Sequence, residues 1–227
     1  PYFISLSSVE EEKRRGSVNY ILQSARAVHA MGGERIVVHS GSCAKMSREE
    51  ALTLAMDTMR DAVAALDAEG LDRVRICPET MGKVNQLGTL EEVLELCTID
   101  ERMLPCIDFG HLNARTFGGL KTFADFERIF DAVENRLGYS RLREFHAHFS
   151  KIEYTTPGGE KRHLTFEDTE YGPDFEPVAE LIARKNCEPT IICESAGTQA
   201  EDAARMRALY QAVCESGWKV DSGREGE

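Results

Sequence analysis

No run of the chain is apolar for the roughly 20 residues that a membrane-spanning helix needs. Nor does a basic stretch followed by an apolar core and a cleavage site open it, so the expectation is a protein that is neither exported nor inserted and works in the cytoplasm. Paired C-x-x-C thiolates are also lacking, although there are seven cysteines, and an odd number argues against a disulfide framework. Cys77, Cys106 and Cys193 fall inside β-like apolar runs, where a thiol behaves as a small buried hydrophobe. A reducing compartment fits that usage, and any metal has to be held by histidine and carboxylate.

Basic side chains are scarce relative to acidic ones, 27 against 39, for a formal net charge of −12. A surface of that sign repels phosphate backbones at long range and counts against nonspecific adhesion to nucleic acid. It leaves a DNA substrate open, because bound divalent ions offset negative charge locally. Repeats, low-complexity tracts and linkers are absent too. With 42% hydrophobic and 29% charged residues in 227, the chain reads as one domain over residues 1–220 with a polar, disordered tail over 221–227.

What is present is an alternation of short apolar runs with amphipathic stretches, the pattern of a parallel sheet wrapped by helices. Strands are expected at Tyr2 to Leu6, Arg35 to His39, Arg73 to Glu79, Met103 to Asp108, Arg143 to Phe149 and Pro189 to Glu194. Capping boxes at Ser47 with Glu50, Thr89 with Glu92 and Thr198 with Glu201 open helices. The first helix runs to about Gly70, with Leu52, Ala55, Met56, Met59, Val63 and Leu66 on one buried stripe. Further helices are expected over Ser17 to Met31, Phe123 to Leu137 and Phe175 to Lys185. The polar segment from Thr155 to Pro173 has little periodicity, and a segment of that kind inside a compact domain is usually functional.

In a parallel α/β barrel every strand ends at the same rim, so strand-end residues converge however far apart they lie in sequence. That rule gathers His39, Glu79, Asp108, His146 and Glu194, with His111 and His163 on loops within reach. A lone strand-end carboxylate is as well explained by helix capping. Five acidic and imidazole residues ending successive strands are better explained by a divalent cation, without which clustered carboxylates repel one another. His29 falls within a helix and reads as structural. His148 points to the same side of its strand as His146 and is left unassigned.

Four segments now carry a resemblance: Val38-His39-Ser40-Gly41-Ser42, Glu79-Thr80-Met81-Gly82 through Asn85-Gln86-Leu87-Gly88, Cys106-Ile107-Asp108-Phe109-Gly110-His111, and Cys193-Glu194-Ser195. In order and spacing they resemble the motifs of the endonuclease IV family of DNA-repair enzymes, over nearly the whole chain. The resemblance implies a TIM (β/α)8-type barrel, here lacking its first strands, and two or three zinc ions, with manganese a possible substitute. It implies that His39 and Glu79 serve one ion, that Glu79 bridges to a second held by Asp108, His146 and Glu194, and that His111 and His163 hold a third. Tyr2 and Phe3 match the positions that push into the base stack at an abasic site. The implied partner is double-stranded DNA with abasic sites, with no membrane involved and a monomeric protein. The implied reaction is hydrolysis of the phosphodiester 5′ to the lesion, with Glu79 and Glu194 as the catalytic carboxylates.

Two departures from that pattern stand out. The family's first ion also uses a histidine that would lie just upstream of Pro1. Its third uses an aspartate where this chain has Lys161, which cannot be a ligand, so Glu160 or water would have to serve. The competing reading is a single-metal sugar isomerase or epimerase of the xylose isomerase-like barrels, for which Glu79, Asp108, His146 and Glu194 suffice. A third is a non-catalytic remnant that keeps the fold and binds a partner.

Overall fold

The structure, a computed structural model, describes residues 4–216. Tyr2 and Phe3, and the tail over 221–227, lie outside the described residues.

Five strands form one parallel sheet in the order β1 (Arg35–His39), β2 (Arg75–Glu79), β3 (Cys106–Asp108), β4 (His146–Phe149) and β7 (Thr190–Cys193). Being parallel, all five present their C-terminal ends at one edge. The helices α1 (Glu11–Ala30), α2 (Arg48–Ala68), α3 (Leu90–Leu96), α4 (Phe109–Arg115), α5 (Phe123–Leu137), α6 (Tyr139–Arg143), α7 (Glu176–Arg184) and α8 (Gln199–Glu215) lie before, between and after the strands in sequence. An antiparallel hairpin, β5 (Ile152–Thr155) and β6 (Gly159–His163), leaves the sheet after β4. No helix among the described residues is long and apolar enough to cross a membrane.

Local chemistry explains the helix starts. Ser47 Oγ accepts the Glu50 N–H at 3.2 Å while Glu50 accepts the Ser47 N–H at 2.9 Å, and Thr89 with Glu92 repeats the arrangement. The α2 stripe faces inward as expected, with Ala55, Met59 and Leu66 buried and Leu52, Met56 and Val63 at its margins. In α5 the residues Phe126, Ile129, Phe130, Val133 and Leu137 recur at three and four and are all buried. Phe126 and Phe130 meet Phe109 at ring separations of 6.1 and 6.2 Å, and Phe149 packs on Phe175 at 4.9 Å, so an aromatic layer fills the space under β3 and β4.

Three expectations need correction. Ile4 to Leu6 form no strand; instead Leu6 is buried and its carbonyl accepts the Thr58 hydroxyl at 2.8 Å. The Thr198 and Glu201 box does not form, because the Thr198 hydroxyl donates to Asp202 at 2.7 Å and that carboxylate also receives the Phe166 N–H. His111 and His163, expected on loops, lie in α4 and at the end of β6, and Gly159, at φ +83°, makes the turn into that strand.

Candidate metal centre

Each strand delivers its last inward residue to the rim. Glu79 closes β2, Asp108 closes β3, His148 stands opposite Asp108 in register on β4, and Glu194 follows β7. Donor atoms of Glu79, Asp108, His148 and Glu194 all lie within 4.8 Å of one another. Glu79 is 3% exposed and Asp108 is fully buried.

Asp108 does two jobs. Its Oδ1 accepts the His111 N–H at 2.7 Å and so caps α4, the bland role expected of a strand-end aspartate. Its Oδ2 is buried with no hydrogen-bond partner. His111 Nδ1 lies 3.3 Å from it but spends its proton on the Thr80 carbonyl, and a dry carboxylate oxygen without a hydrogen bond beside two more carboxylates is strongly unfavourable unless a cation meets it. The donor set therefore fits a divalent ion, and Glu79, Asp108, His148 and Glu194 are the residues that would hold it.

A second triad stands beside the first: His111, Glu160 and His163 also bring donor atoms within 4.8 Å of one another. His111 Nδ1 donates to the Thr80 carbonyl at 2.9 Å, which fixes the tautomer and turns Nε2 toward Glu160, 3.5 Å away. His163 Nδ1 is paired with the Ser150 hydroxyl at 2.8 Å. The hairpin carries Glu160 and His163 to this position, so a segment without clear periodicity supplies two of the three donors. His39 completes the ring from β1, its Nε2 3.4 Å from Glu79 Oε2.

Electrostatics follow from this crowding. Burial opposes ionisation of Glu79, but the hydrogen bond from His148 Nδ1 at 2.8 Å and the neighbouring imidazoles outweigh it and hold the carboxyl below its usual range. Burial raises Asp108 and Glu194, and their carboxylate neighbours push the same way. Against its own burial, His148 is raised to about 9 by Glu79, with Glu194 and Asp108 adding to it.

The expected ligand His146 is not in the four-residue set; His148 takes its place. His146 pairs in register with Cys106, one inward position before the rim. Alternation put both histidines on the inner face, and only the register separates them. His29 lies exposed on α1, outside both donor groups. The rim opens into a cleft of about 860 Å³ lined by His39, Glu79, His111, Glu160, His163 and Glu194.

A parallel α/β sheet with acidic and imidazole side chains at its strand ends defines a barrel-type enzyme fold with a candidate divalent-metal centre. Residues 1–211 match the model of the family described as xylose isomerase-like TIM barrel, and the chain belongs to that family. An uncharacterized protein of Methanocaldococcus jannaschii is 34% identical over 86% of this chain and 69% of its own length. A "Probable endonuclease 4" of Mycoplasma pneumoniae is 26% identical over 66% of this chain and 51% of its own, so the chain spans about half the length of that relative. Among solved structures, a D-tagatose 3-epimerase-like protein superposes with a TM-score of 0.72 at 19% identity, covering 95% of this chain and 76% of the other. Endonuclease IV from Thermus thermophilus gives 0.61 at 21% identity, covering 95% and 74%. At those identities the likeness is one of fold.

Proposed function

We propose that this chain is a metal-dependent phosphodiesterase that incises DNA on the 5′ side of abasic sites, acting as a monomer with two or three zinc ions. The observation that carries this reading is the second triad, His111, Glu160 and His163, beside the four-residue set. A single-cation isomerisation would use the four-residue set and leave three convergent donors idle. When bound, ions of this kind polarise the phosphate and lower the pKa of water.

The chain's own residues set the geometry. Glu79 sits among His39, His111 and His148, so its charge is shared by three imidazoles and its position is fixed from three sides. The Thr80 carbonyl and the Asp108 carboxylate hold His111 by its ring and its backbone. Glu194 is the more open carboxylate, at the cleft edge 4.0 Å from His163, where it would stand ionised beside a bound cation and face the substrate. Lys45 and Lys83 line the same cleft and supply positive charge for a phosphate backbone on an otherwise acidic protein.

The test is incubation of the zinc-loaded full chain with a duplex carrying one abasic site, with and without chelator. Chelator-sensitive incision leaving a 3′ hydroxyl is expected, and Glu194→Gln should lower it about a hundredfold or more with the fold intact. No incision by the loaded protein would overturn the reading.

A second reading is kept by one observation, that Glu79, Asp108, His148 and Glu194 alone form a complete four-ligand set. On that reading the protein is a single-metal sugar epimerase or isomerase, with Glu79 and Glu194 as the acid and base. Solvent-proton exchange into a ketose, with one metal per chain, would favour it.

A further inference from the structure

Two register positions below the rim, on the same inward face, lies a donor set of different chemistry. Cys106 and His146 are partners on β3 and β4, and the Cys106 sulfur, a His146 nitrogen and a His148 nitrogen lie within 4.8 Å of one another. All three residues are buried, Cys106 completely and His146 to 5% exposure. Neither ring nitrogen of His146 has a hydrogen-bond partner, though both are shielded from solvent. A buried imidazole with both nitrogens unsatisfied is rare and calls for something beyond the protein to meet it.

We infer that Cys106, His146 and His148 form a soft-metal site beneath the rim, taking a thiophilic divalent ion of the zinc, cobalt or cadmium class. A thiolate with two imidazoles selects borderline and soft cations over magnesium or calcium, whereas the carboxylate-rich rim accepts both kinds. Three protein donors leave one position of a tetrahedron for water. Binding exchanges the Cys106 thiol proton, released to solvent, for a metal–sulfur bond. His148 belongs to both sets, since its Nδ1 faces Glu79 at 2.8 Å and Glu194 at 3.2 Å at the rim. An ion drawn inward by the thiolate would share this ring with the rim, so occupancy of the two sites is coupled through His148.

Cobalt(II) is the probe. Titrated into the metal-stripped full chain, it should give a thiolate-to-cobalt charge-transfer band in the near ultraviolet. That band should vanish in Cys106→Ser, require at least tenfold more cobalt in His146→Gln, and survive in Glu160→Gln, a residue set against His111 and the Gly82 backbone instead of the inner donors. Circular dichroism on each variant checks folding, and if Cys106→Ser does not fold, His146→Gln decides. No thiolate band in the unvaried protein, or a band that persists in Cys106→Ser or is unchanged in His146→Gln, overturns the inner site. The rim is read separately, from cobalt ligand-field absorption without sulfur charge transfer, so either site can fail while the other stands.

Discussion

Replacing Gly82 by alanine should damage the second triad selectively. A Cβ at Gly82 would lie 2.6 Å from Glu160 Cβ, 2.8 Å from Glu160 Oε2 and 2.9 Å from His111 Cδ2. Unstrained carbon contacts are about 3.5–4.0 Å, so roughly an ångström of movement must be found. Little is available. The Glu160 N–H donates to the Gly82 carbonyl at 3.1 Å, and a Cβ at Gly159 would sit 2.3 Å from that same carbonyl, so the two backbones already touch. His111 is held by Asp108 at 2.7 Å and Thr80 at 2.9 Å. Overpacking of this kind costs about 1–3 kcal/mol, and at about 2–4 °C per kcal/mol for a domain of this size Tm should fall by roughly 2–12 °C. Metal–ligand distances tolerate only about 0.2 Å, so the triad should lose its ion while the four-residue set keeps its own. Calorimetry and metal analysis on one zinc-loaded sample check both. A Gly82→Ala protein with unchanged Tm and unchanged zinc content would refute the reasoning.

His148→Gln should weaken zinc at the rim by about a hundredfold or more, whereas His146→Gln should leave rim affinity within a few-fold, as competition with a zinc indicator will show. Zinc affinity should also fall with acidity. The metal-free His148 titrates at about 9, so below that pH a proton must leave before Nδ1 can bind, at a cost of up to about tenfold in affinity per pH unit from this group. Titration calorimetry in buffers of different ionisation enthalpy should show proton release at neutral pH, and buffer-independent heats would contradict it. For the metal-free protein the linkage has the opposite sign. The folded His148 value is raised above its ordinary 6.5, so the protonated pair with Glu79 adds stability below that pH and loses it as pH climbs through about 9. Denaturant melts across that window with chelator present will check the direction.

The strand-end rule found most of the rim because the residues it needs are visible in sequence. Glu79 and Asp108 close apolar runs, and their burial follows from the parallel sheet itself. The rule chose His146 on β4, where the structure brings His148 to the carboxylates, because the two share a face and distinguishing them requires the pairing of Asp108 with His148, a fact about a neighbouring strand. The strand continues to Phe149, so its last inward position is His148, and that extension was the one local signal available. The hairpin was illegible for a different reason. Gly159–His163 reads GEKRH, with no apolar alternation, because its side chains face the cleft and solvent rather than a core. Glu160 stands one residue before Lys161, where the resemblance called for an aspartate, and only the turn at Gly159 shows that its carboxylate reaches His111. Asp202 displaced Glu201 as the partner of Thr198 because one buried carboxylate there also satisfies Phe166, a contact 36 residues distant in sequence.

Anomalous scattering at the zinc edge, from crystals of the full chain grown with zinc, bears most directly on the metal centre. One peak bounded by Glu79, Asp108, His148 and Glu194 and a second bounded by His111, Glu160 and His163 are the predicted result. Zinc located only on surface carboxylates, with those side chains left facing an empty rim, would contradict it.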